Sequence, residues 1–386
     1  GIRGEIIDYA IKGFVIYDPN TDKVFVKDKV FDYLNAKVGK ADYDVIQFHS
    51  VIEAESNATF SLLNWDLRIK GVSRVFLSDS QAVYIYPSDQ EIVVKKNRDF
   101  TFAGRVHAGM FDYYGKNFSF EYDKFMLNLP IIDSMTFKVK SRKPDEYGEY
   151  PLIRVKSVIE DLSGDILIDH PNNKSGRKPF PEYPIFNSKK FSFVYWDKNS
   201  DYPGSYPREN FFYRIDPFTL DSLDDFSTDG LEFSGYLSSA GIFPDIVQPL
   251  KVMKDYSLGF IHNTGPAGYP TYGGKGTFTN IIDLSNKGLF GNGTLNYLSS
   301  ESKSDNFLFF PDYMTAKVKD YTVKEQTGAN SVPPVEAHNV QQEWRPYEDR
   351  LAVTTTDQPA RMYAEETEMN GTLNITPGGL TGTGKL

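Results

Sequence analysis

The 386-residue chain offers few groups whose types and spacing could do chemistry. Two segments place oxygen side chains at alternate positions: Asp18, Asn20 and Asp22, then Asp197, Asn199 and Asp201. Alternate oxygens in a tight loop can converge on calcium. Neither segment carries the downstream glycine and bidentate glutamate of the helix-loop-helix calcium site, and the first sits between Phe14–Tyr17 and Val24–Val26. A plain hairpin turn therefore explains the first segment. A phosphate loop is approached at Gly379, Gly384 and Lys385, but Leu386 stands where a hydroxyl would hold magnesium.

Paired carboxylates could hydrolyse a glycosidic bond. Asp79, Asp112, Asp165 and Asp169 are candidates, yet among 52 acidic residues no pairing stands out. Tyr195, Trp196, Tyr202, Tyr206 and Tyr213 form the densest aromatic region. Exposed, such rings stack on sugars; on the inner faces of strands they fill a core. His49, His107, His170, His262 and His338 are scattered singly, without the short spacings of a zinc site. The chain has no cysteine, which excludes disulfides, thiolate metal sites and a cysteine nucleophile. It has no Gly-x-Ser-x-Gly elbow. These residues assign no catalytic, cofactor-binding or metal-binding side chain, and the expectation is a protein that is not an enzyme.

The elements that would position any site follow a period of two. Trp65, Leu67 and Ile69 alternate with Asp66, Arg68 and Lys70. That pattern predicts a half-buried strand. Val83–Tyr86, Ile92–Lys96, Phe118–Phe120, Thr136–Val139 and Phe191–Tyr195 are further strands, rich in residues that suit a pleated surface. Asp28–Lys40 predicts one short helix, with Val30, Leu34 and Val38 four apart. Lys251–Leu258 and Val335–Arg345 are weaker helical stretches.

Short sequences recur. Phe100–Phe111 and Leu231–Phe243 share the form apolar-x-apolar-x-Gly-x-apolar followed by a small-residue turn. Gly288–Leu295 and Gly379–Leu386 share a glycine-punctuated form. Tyr-Leu-Ser-Ser occurs at 236–239 and 297–300, and Asn-Gly-Thr-Leu-Asn at 292–296 and 370–374. Glycine inside a strand marks close backbone approach, a bend or a bulge. Recurrence predicts stacked β units. The expected architecture is all-β: elongated repeated sheet units, as a solenoid or stacked sandwich, with few short helices. Turn-rich stretches suggest three regions: 1–168, 177–326 and 335–386, the last read as the start of a further repeat in a chain that is part of a longer protein.

Acidic residues outnumber Lys and Arg by 52 to 42, a net charge of -10 that argues against a nucleic-acid partner. No apolar run approaches the roughly 20 residues of a membrane helix. The segments Val75–Pro87, Asn97–Gly104 and Ile168–Gly176 resemble long β-rich envelope proteins of Bacteroidota-type bacteria. The glycine-punctuated strands are loosely similar to AsmA/TamB-like envelope proteins, whose β-grooves hold lipid chains. This resemblance implies an extracytoplasmic place, in the periplasm or on the cell surface, and partners among proteins or envelope components. The expected role is structural or adhesive and non-catalytic. A lipid-carrying β-groove and a glycan-binding or glycan-active module are the alternatives.

Overall fold

The computed structural model describes residues 1–52, 56–198, 202–225, 230–327, 331–363 and 367–386. The protein is all-β, with two helices among the described residues, Ile2–Ile11 and Asp28–Lys37. The chain forms two compact units. The first comprises Gly1–Met135, Leu162–Lys190 and Thr219–Phe226; the second comprises Thr136–Asp161, Phe191–Phe218 and Ser227–Leu386. The turn-rich stretches expected to separate regions fall inside units instead: 169–179 in the first, 327–334 in the second. Every strand ladder with a described register is antiparallel, for example Phe100–Ala108 on Phe111–Glu121 and Gly276–Ser285 on Gly288–Tyr297.

In the first unit, Leu67–Lys70, Glu91–Val94, Phe100–Ala108 and Phe111–Glu121 follow one another across a sheet. The hairpin Val75–Ser78 and Val83–Pro87 joins the same strand, Phe100–Ala108. Phe100 and Phe120 stack at 4.9 Å, Phe102 meets Phe118 edge-on at 5.6 Å, and Tyr113 meets Phe186 at 4.8 Å. Each of these rings is at most 6% exposed. Burying one is worth roughly 1.5–3 kcal/mol. An exposed ion pair such as Arg68 with Glu91 is worth about 0–1 kcal/mol, so the rings hold the unit.

The second unit contains two sheets. One includes Ser192–Tyr195, Phe211–Ile215 and Gly235–Ser239. The other is a meander from Leu250–Val252 to Gly379–Lys385. Tyr206 and Phe243 lie between them. Tyr206 meets Phe211 at 4.5 Å and Phe310 at 5.6 Å; Phe243 meets Phe309 at 5.0 Å and Phe278 at 5.9 Å.

The recurring glycines occupy mid-strand breaks. Gly104 has φ +136°, and a Cβ there would lie 2.3 Å from the Tyr86 carbonyl. Gly235 has φ +156°, with its Cβ position 2.0 Å from the Arg214 carbonyl. Only a residue without a side chain admits such an approach. In the separate sheet that runs from Leu250–Val252 to Gly379–Lys385, strands also break: the ladder slips between Gly291 and Gly293, and Asn280, opposite Gly293, and Asn339 adopt φ of 92° and 53°. Beyond a break the inward alternation resumes out of step, as from Val335 and Ala337 to Val340, Gln342 and Trp344.

Three expectations are corrected. Val335–Arg345 is a strand. Its step of three between Ala337 and Val340 imitates helical spacing, and a break at Asn339 is the cause. Lys251–Leu258 is the end of one strand, a turn and the start of the next. Tyr-Leu-Ser-Ser lies in the strand Gly235–Ser239 at its first occurrence but forms the hairpin turn before Ser300–Phe309 at its second. The identical tetrapeptides do not mark equivalent positions.

Candidate functional site

The oxygen-rich segments resolve into ordinary turns. Asp18 accepts hydrogen bonds from the Asn20 amide at 2.9 Å and the Thr21 hydroxyl at 2.6 Å. Asp22 faces Arg3 at 3.1 Å and Tyr17 at 2.5 Å. The two carboxylates are thus each committed to a turn or a cation. Asn199 and Asp201 lie outside the described residues; Asp197 pairs with Arg208 at 3.2 Å. Gly379–Lys385 is a strand paired along its length with Thr367–Thr376, and Pro377 and Gly378 make the turn. The glycines there serve the ladder.

The four acidic candidates are not brought together by shared hydrogen bonds. Asp112 pairs with His107 at 3.0 Å; Asp165 pairs with Lys189 at 2.8 Å. Asp169 is 1% exposed and accepts from Asn173 at 2.9 Å and from the His170 amide at 2.6 Å. Burial raises its pKa, partly offset by those bonds. Asp79 is exposed on the turn between Val75–Ser78 and Val83–Pro87. Among the histidines, His262 lies 2.8 Å from the Tyr269 hydroxyl and has its pKa lowered by burial. His338 faces Asp320 at 2.8 Å. Among the described residues, no three His, Cys, Asp or Glu side chains gather to hold a metal.

The aromatic candidates divide. Trp196, Tyr206 and Tyr213 are at most 2% exposed, so they are core. Tyr206 donates to the Phe309 carbonyl at 2.9 Å and accepts from the Leu289 amide at 3.1 Å. Tyr202 packs edge-on to Phe310 at 5.1 Å. Tyr195 alone of the five lies on the outer face of a strand, and there it belongs to a larger arrangement. The Arg208 guanidinium sits 4.1 Å over its ring and is held by Glu160 at 3.0 Å. Alongside, Arg214 lies between the rings of Phe191, at 4.2 Å, and Tyr236, at 4.5 Å. Phe193 completes the face, 6.0 Å from Tyr195 and 5.7 Å from Phe212.

The strand register produces this arrangement. Phe193 stands opposite Arg214, Tyr195 opposite Phe212, and Arg214 opposite Tyr236. The chain matches no protein-family model, no curated protein and no solved structure. Function must therefore be argued from geometry alone. Rings and guanidinium donors on a sheet face can stack on and hydrogen-bond to a partner. Sequence reasoning found Tyr195 but missed Phe191, Arg214 and Tyr236 as one face. The available signal was the alternation Phe212, Arg214, Asp216 beside Phe191, Phe193, Tyr195; what it lacked was the pairing between them.

Proposed function

We propose that the protein is a non-catalytic structural or adhesive component of the bacterial envelope or cell surface. The observation that carries this reading is the outward face of Phe191, Arg214, Tyr236 and Tyr195, aromatic and cationic groups locked together by cross-strand pairing. The acidic candidates support it, because the partnered ones are engaged in separate local bonds. The lipid-groove alternative calls for strand faces lined with uncovered apolar side chains. Phe100, Leu284 and Leu351, on inner faces, are 0% exposed, which weighs against that alternative.

The test is retention of the purified chain on envelope fractions of a Bacteroidota-type bacterium. Retention should fall several-fold in Arg214→Ala and Tyr236→Ala while the melting temperature stays within a few degrees. Equal retention of both variants would remove the adhesive assignment from this face. Turnover of a chromogenic glycoside would replace the reading with an enzyme, and co-purified lipid seen by mass spectrometry would replace it with a lipid carrier.

A further inference from the structure

The first 40 residues make secondary structure without a core. Helix Ile2–Ile11 contains no buried residue, helix Asp28–Lys37 buries only Ala36, and the strand Lys23–Val26 is exposed throughout. Yet the segment is rich in large apolar side chains: Phe25, Val26 and Phe31 are 56–59% exposed. Tyr9, Phe14, Val26, Val30, Tyr33 and Leu34 line an open apolar cavity of about 270 Å³. A module of this kind has formed its elements but has not buried the area that stabilises them.

Its second open feature is a strand edge. Val15–Asp18 and Lys23–Val26 form a two-stranded sheet of their own, and among the described residues no other strand lies beside Lys23–Val26. The outer edge is a row of backbone donors and acceptors flanked by apolar side chains, the template for strand addition. Val26 belongs both to that edge strand and to the cavity wall.

Charge selects the occupant. The acidic side chains of the module are largely engaged: Asp8 with Lys12 at 2.6 Å, Asp22 with Arg3 at 3.1 Å, Asp32 with Arg98 at 3.6 Å, and Asp18 in its turn. Glu5 and Asp28 occupy first turns of helices. Lys23, Lys27, Lys37 and Lys40 are exposed, and no described ion pair includes them. A second copy pairing antiparallel about Phe25 would set Lys23 against Lys27 at both ends, like charges directly opposite. A hydrocarbon surface would leave the strand-edge donors unsatisfied. We propose that this module docks an extended peptide segment of a partner, apolar at its centre and acidic at its ends, which adds as a strand to Lys23–Val26.

The test uses the whole chain and two synthetic fluorescent peptides, both with alternating valines at the centre. One ends in aspartates, the other in lysines. The aspartate peptide should bind about tenfold tighter, the size expected from two favourable end pairs replaced by two unfavourable ones. The double variant Lys23→Glu, Lys27→Glu should reverse that preference. Amide exchange at Val24 and Val26, whose N–H groups face the open edge, should slow when the aspartate peptide binds. Equal binding of the two peptides, or none at millimolar concentration, overturns the proposal. Two further outcomes overturn it in favour of another occupant. One is concentration-dependent dimerisation abolished by Phe25→Asp; the other is saturable binding to phosphatidylglycerol vesicles that Lys23→Glu abolishes.

Discussion

At the scale of single residues, the polar atoms of the core carry more consequence than any candidate for chemistry. The Tyr206 hydroxyl satisfies one carbonyl and one amide at once. Tyr206→Phe keeps the ring and strands both, so it should cost about 1–3 kcal/mol, read by urea unfolding. Asp283 gives a pH-dependent counterpart. Burial, reinforced by Asp255, raises its carboxyl pKa in the folded protein. A raised acid binds more protons folded than unfolded, so its contribution to stability falls as pH rises through the folded value. Asp283→Asn should therefore raise the melting temperature at about pH 7, and the gain should vanish below about pH 4, where both states are protonated. The sequence shows neither effect. Tyr206 sits in a turn-rich stretch that reads as surface, and nothing near Asp283 in the chain signals Asp255.

At the scale of elements, the period-two pattern was a reliable guide and its failures share a cause. Strands were legible at Val83–Pro87 and Ser192–Tyr195 because inward and outward residues alternate there without interruption. Leu67–Lys70 is also a strand, but Trp65, expected on its inner face, is 54% exposed before the strand begins, at a positive φ that breaks the alternation. The helix Asp28–Lys37 was legible from its apolar spacing. Helix Ile2–Ile11 was not, since its apolar residues do not gather on one buried side. Val335–Arg345 misled because the break at Asn339 converts two alternating halves into a mixed spacing. The outer aromatic face was hidden for a different reason: its members lie on three strands, and register is a property of pairs. The breaks themselves are testable. Gly104→Ala drives a methyl into the Tyr86 carbonyl at a backbone angle that side chains avoid, and should cost about 2–4 kcal/mol. Gly39→Ala also has positive φ but open space around it, and should cost about 1–2 kcal/mol.

At the scale of the whole molecule, the two units are interleaved along the chain rather than placed one after the other. The first unit depends on a short late segment. Leu220 pairs with Phe186, and the Leu223 carbonyl accepts the Met110 amide at 2.7 Å. Leu223 is 0% exposed, and the Cβ position of Gly109 lies 2.2 Å from its carbonyl oxygen. A fragment ending at Lys190 lacks this piece and loses roughly 1.5–3 kcal/mol for each buried leucine. It should unfold at clearly lower urea than the same region does in the whole chain, as followed by tryptophan-independent circular dichroism.

The threading of Leu220 and Leu223 also sets a timetable for birth on the ribosome. The first unit cannot close until residues beyond Leu223 have been made and have left the exit tunnel. By then Phe211–Ile215 of the second unit is already out, while its neighbour Gly235–Ser239 has yet to follow. At roughly 5–20 residues added per second, that strand edge waits open for on the order of a second. A protein with its units in succession would finish one before starting the next; here both are under construction at once.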